Sequence, residues 1–277
     1  MSACGEVQPM LKDITLGQYF PGQSVIHRLD PRTKLTMLVI YIVALFLAEG
    51  WVSYGLVFAF LAAVIWLSAI PLKSILRGMK PLVMILVFTG VLNLFFTQDG
   101  NVIFRFWVLT VTSGGLSRAL MMMARILMLI TGTFLLTYTT SPIALTDGLE
   151  ALMNPLKRVG VPVHELSMMM CIALRFIPTL IEETDKIMSA QKARGADFES
   201  GSLTDRAKAL IPILVPLFIS AFRRADELAT AMECRCYQGG EGRTKMKQLR
   251  YHREDFLSYG IGLVLLVGVI VLKTFGM

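Results

Sequence analysis

The chain has 277 residues, 55% of them hydrophobic and 17% charged, with a mean hydropathy of +0.62. That balance excludes an ordinary soluble domain and points to an integral membrane protein. The net charge is +7, but most acidic residues fall between 140 and 255, where the charges nearly cancel; the excess cations therefore flank apolar sequence, and nucleic acid is not expected as a partner.

The amino terminus carries Glu6 and Asp13 and has no apolar run before a cleavage site, so the first span is expected to act as its own insertion signal. Five stretches are read as spans. The first, 35–48, follows the basic cluster from His27 to Lys34 and turns at Glu49 and Gly50. The second is 51–72, with Lys73, Arg77 and Lys80 behind it. The third, 81–98, closes at the polar turn 98–101. The fourth is placed at about 117–139, and the fifth at 256–272. The fold class is therefore an all-α integral membrane protein with about five transmembrane helices plus long cytoplasmic helices. Residues 1–139 form the amino-terminal segment with four spans, 140–255 the cytoplasmic part and 256–277 the last span. Basic clusters before the first span and after the second put the amino terminus in the cytoplasm and the carboxyl terminus outside. Arg125 falls inside the fourth span, which makes it either a packing partner in a bundle or a sign that the boundary lies elsewhere.

Within 140–255 a short helix is predicted over 141–156 and a long one over 165–192, stopped by Gly195 and the polar stretch 197–202. A second long helix is predicted over 203–233, broken in character at Pro212 and Pro216. The uncharged run 209–222 is short for a sixth span and is read as partly buried. Both long helices have an apolar first half and a charged second half, as expected of elements that start against the membrane and project toward water.

Each long helix ends in a small residue, an arginine and another small residue: Ala193-Arg194-Gly195 and Cys234-Arg235-Cys236. At the same offset Asp185, Ser189 and Ala190 align with Asp226, Thr230 and Ala231. One arginine at a helix end is ordinarily a cation answering the helix dipole. The duplication favours docking tips, because small neighbours let a planar guanidinium enter a groove and donate to carbonyls or carboxylates. Cys234 and Cys236, with His252 as a distant third ligand, would make half a zinc site, but a second ligand pair is missing and no metal is expected. The stretch 239–244 lacks a phosphate loop's glycine spacing, so ATP is not expected to bind here, and it reads as a flexible basic connection through Arg243, Lys245, Lys247, Arg250 and Arg253. Glu182 and Glu183 are read as solvated helix charges beside Lys186 and Arg175. His27, His164 and His252 are scattered, and no catalytic constellation is found. Met121–Met123 and Met168–Met170 suit ordinary apolar packing or, as a set, adaptable surfaces.

The segment from His27 to Leu35, the segment from Ala173 to Leu180 and the two arginine tips together closely resemble the transmembrane T component of energy-coupling factor transporters. The resemblance covers nearly the whole chain. It implies a non-catalytic coupling subunit for uptake of vitamins or other micronutrients, working with two ABC-type ATPases that bind the ATP and one or more small substrate-binding membrane subunits. The family's Ala-Arg-Gly coupling motif maps onto Ala193, Arg194 and Gly195 and, with cysteines as its flanks, onto Cys234, Arg235 and Cys236. The alternative is a self-sufficient secondary transporter, which would need inverted repeats and charged or helix-broken sites at mid-membrane.

Overall fold

In the computed structural model, the residues described are 19–96, 102–106, 109–196, 198, 202–240 and 248–275. The amino-terminal segment, the polar turn 98–101, most of 197–201 and the basic connection 241–247 lie outside them. Two compact units are formed, one by Gly17–Leu152 with Lys247–Met277 and the other including Met153–Met246.

The first unit holds helices α1 (Val25–Arg28), α2 (Pro31–Leu47), α3 (Trp51–Ser68), α4 (Leu72–Met79), α5 (Val83–Phe96), α6 (Ser113–Thr139) and α7 (Pro142–Met153), and α10 (Arg253–Thr274) at the carboxyl end. A 3-10 turn at Lys80–Leu82 joins α4 to α5 and takes up Pro81. The all-α expectation holds, with one antiparallel hairpin added between β1 (Val102–Phe106) and β2 (Leu109–Thr112). Asp30 starts α2 by accepting from the Arg32 amide at 2.9 Å, with Pro31 at the first helical position, where its missing N–H and fixed φ fit.

Tyr41, Leu45, Val57, Leu61, Met128, Leu135, Leu265 and Val269 form a buried cluster contributed by α2, α3, α6 and α10. At its polar end Lys34 donates to the carbonyls of Thr139 (2.9 Å) and His27 (3.2 Å). The fully buried Asp255 accepts from the amides of Asp30 (2.9 Å) and His252 (2.7 Å). These bonds tie the start of α2 to the end of α6 and the start of α10, and satisfy groups whose burial alone would be costly.

Among the described residues five helical stretches are long and apolar enough to cross a membrane: Trp51–Ser68, Leu72–Leu94, Gly114–Thr139, Val163–Ala193 and Arg253–Thr274. Four coincide with predicted spans, the third beginning nearer Leu72 than 81. The stretch 35–48 lies in α2, whose 17 residues stand at the lower limit for a crossing helix. Arg125 is a packing partner: its Nη2 donates to the Ala48 carbonyl at 2.9 Å, and the guanidinium lies 5.6 Å from the Tyr54 ring centroid and 5.7 Å from that of Phe46. It thus caps the negative end of α2 between two aromatic faces.

The second unit consists of a 3-10 turn at Asn154–Val159 and two helices of 31 residues each, α8 (Val163–Ala193) and α9 (Leu203–Glu233). Ser202 and Asp205 form a reciprocal capping box at the start of α9. Helix α9 has the predicted bounds, and it runs without interruption through Pro212 and Pro216, where a break in character was expected.

Candidate docking site

The helix ends that carry the tip arginines are built alike. At the end of α8 the Gly195 amide donates to Lys192 O (3.0 Å) and the Ala196 amide to Gln191 O (3.0 Å). At the end of α9 the Cys236 amide donates to Glu233 O (2.8 Å) and the Tyr237 amide to Met232 O (3.1 Å). Both are Schellman closures, in which the amides of the two residues after the arginine satisfy carbonyls of the final turn. The arginine holds the same place in each, and the residue after it turns left-handed, Gly195 at φ +88° and Cys236 at φ +55°. All six residues of the two motifs are exposed. The likeness continues upstream, where Ser189 donates to Asp185 O (2.8 Å) and Thr230 to Asp226 O (2.9 Å).

Contacts between α8 and α9 fix their relative direction. Glu183 meets Arg224 and Gln191 meets Pro212, so advancing along α8 means going back along α9. The helices are antiparallel where they touch. Beyond the second tip the chain returns to the start of α8: a Cβ on Gly240 would lie 2.5 Å from the His164 ring, so a side chain there has no room. Arg194 and Arg235 therefore lie on opposite sides of the Glu183–Arg224 contact.

Glu183 is not a merely solvated charge. Its Oε2 accepts from Arg224 Nη2 at 3.2 Å across the helix pair, and Arg224 also lies 5.8 Å from the Phe176 ring centroid. Gln191 contributes in another way. Residue 216, being proline, has no N–H for the Pro212 carbonyl, and the Gln191 amide approaches that oxygen at 3.5 Å. These cross-helix partners were not singled out in the sequence, although Arg224 follows Glu183 at the same offset as the tips.

The apolar halves of α8 and α9 leave Met169, Met170, Leu210, Ile211, Leu214, Val215, Phe218 and Phe222 exposed. Met121, by contrast, packs against the core of the first unit and Met123 lies over Gly90, so these methionines serve packing. Cys234 and Cys236 are exposed free thiols. Among the described residues no group of three His, Cys, Asp or Glu is placed to hold a metal ion.

Residues 22–246 match a family model named CbiQ and described as cobalt transport protein. An energy-coupling factor transporter transmembrane protein EcfT from Thermosediminibacter oceani is 57% identical over 261 residues, covering 94% of this chain and 98% of that protein. The protein of the same name from Ruminiclostridium cellulolyticum is 54% identical, with 95% and 98% covered. That from Bacillus subtilis is 50% identical, with 89% and 93% covered.

Proposed function

Because the chain belongs to the CbiQ family, and within it to the energy-coupling factor transporter transmembrane proteins, we propose that it is the non-catalytic coupling subunit of an ATP-driven importer. Two ABC-type ATPases receive the two arginine tips, and a small substrate-binding membrane subunit captures the vitamin or other micronutrient. ATP binds to the ATPases, not to this chain. The observation that carries the reading is the pair of matching caps, each presenting one exposed arginine in one backbone frame on opposite sides of the Glu183–Arg224 contact between antiparallel helices. A partner with two like grooves suits that arrangement better than two unrelated ligands do.

The mechanism follows from stiffness and length. A 31-residue helix is about 46 Å long, so displacement of an arginine end by a moving ATPase is carried along α8 or α9 to its apolar half. The exposed apolar residues there give the substrate-binding subunit and lipid a surface to move over, and unbranched methionines tolerate a change of contact. Tips held firmly and a membrane face held loosely are what a transmitter needs. In this reading the amino terminus and both tips are cytoplasmic.

The test is co-purification from membranes that contain the ATPases. Arg194→Glu combined with Arg235→Glu is expected to weaken ATPase retention at least about thirtyfold, as charge reversal at two central anchors should, while thermal unfolding in detergent stays unchanged. Normal retention and uptake in the double variant, or transport by the chain alone in liposomes under an ion gradient, would overturn the reading.

A further inference from the structure

The Glu183–Arg224 pair joins two copies of one position in the repeat. Arg224 follows Glu183 by 41 residues, the offset that carries Ser189 onto Thr230, Arg194 onto Arg235 and Gly195 onto Cys236. Equivalent positions on two antiparallel helices meet where a two-fold axis passes between the helices. Glu183 and Arg224 each lie about three turns, or ~16 Å of rise, before their own tip arginine, so the tips are equidistant from the pair. The axis is also where the repeat cannot keep identical charged residues, because two glutamates or two arginines there would face and repel each other. Opposite charges occupy it. The pair is half-buried, the side chains of Arg224 and Glu183 being 32% and 24% exposed, and Phe176 lies against the guanidinium.

We infer that Glu183 and Arg224 are positioning residues, whose ion pair marks the pseudo-two-fold axis of α8 and α9 and sets the separation of the two tips so that a two-fold-related pair of grooves meets both at once. The purpose rests on the docking function proposed above; the geometry does not. An ion pair of this exposure adds little to stability. Its effect is on which crossing geometries the two helices populate, and hence on whether both tips are in place together.

The experiment uses the full chain in lipid nanodiscs with no ATPase present. Spin labels are attached through Ala196→Cys and Gln238→Cys in a background carrying Cys4→Ala, Cys171→Ala, Cys234→Ala and Cys236→Gly, and the tip-to-tip distance distribution is read by pulsed dipolar spectroscopy. Glu183→Gln and Arg224→Met are each expected to broaden it about twofold, and the exchange variant Glu183→Arg/Arg224→Glu to narrow it again. An unchanged width in the neutral variants overturns the inference, as does an exchange variant that stays broad; should a neutral variant fail to fold, the exchange variant decides. A second arm measures ATPase capture, expected to fall about two- to fivefold in the neutral variants and to recover in the exchange. Broadened distances with unchanged capture would separate the axis from docking and overturn the inference as stated. Because the distances need no ATPase, a failure of the docking function itself is told apart from a failure of the axis.

Discussion

Cys236 occupies a left-handed backbone conformation, φ +55°, that its counterpart Gly195 enters without a steric penalty. For a residue with a Cβ that conformation costs on the order of 1 kcal/mol, so the second tip closes less firmly than its hydrogen bonds alone would allow. Cys236→Gly is expected to slow hydrogen exchange of the amides at 236 and 237 by about fivefold, and Cys236→Val, with its branched Cβ, to speed it by at least as much; equal exchange in all three would refute the strain. The duplicated arginines were legible in the sequence because offset and residue type repeat together. The need for a small third residue was half legible. Glycine advertises positive φ, whereas cysteine does not, and the hydrogen bonds from Cys236 and Tyr237 show it to be the same cap. Arg125 was undecided in the sequence because its partner, the Ala48 carbonyl, lies 77 residues away.

Helix α9, whose bounds match the predicted 203–233, shows at the scale of elements what a local rule leaves out. A proline inside a helix removes one donor and crowds the preceding turn, which is why the helix was expected to be broken in character at Pro212 and Pro216. The helix continues through both prolines, and the carbonyl freed by Pro216 is approached at 3.5 Å by the Gln191 amide, a contact between elements that no window of α9 contains. Gln191→Ala should therefore loosen α9 near Pro212, raising hydrogen exchange there by about fivefold for a lost bond of order 1 kcal/mol. In the Pro216→Ala background, where residue 216 regains an amide for that carbonyl, the same substitution should have little effect. Equal effects in both backgrounds would show that Gln191 does not replace the missing donor. Periodicity and apolar length identified most helices to within a few residues, since those are properties of the chain itself. The hairpin β1–β2 was missed because its strands are only five and four residues long and sit beside long apolar runs.

For the whole molecule, the stretch Val163–Ala193 has the length and composition to cross a membrane, while its second half carries Glu182, Glu183, Asp185, Lys186 and Lys192. With crossings by α2, α3, the α4–α5 run, α6 and α10, the termini lie on opposite faces; if α8 crossed as well, they would lie on the same face. Reporter fusions at the two termini and in the connection 197–201 distinguish these outcomes, and the amino terminus and that connection are expected inside, with the carboxyl terminus outside. Apolar content identified a membrane protein at once. Which apolar helix lies in lipid and which under a partner is harder to read, because both environments select the same side chains.

The repeat of α8 in α9 has an evolutionary consequence. In a dimer of identical chains an isologous contact is written once and used twice, so every substitution falls on both halves. Here both halves are encoded in one chain, and each position is free to change alone. Ala193 and Gly195 beside Cys234 and Cys236, and glutamate facing arginine between the helices, are such unlike pairs: a backbone that closes two helix ends alike carries different side chains at each.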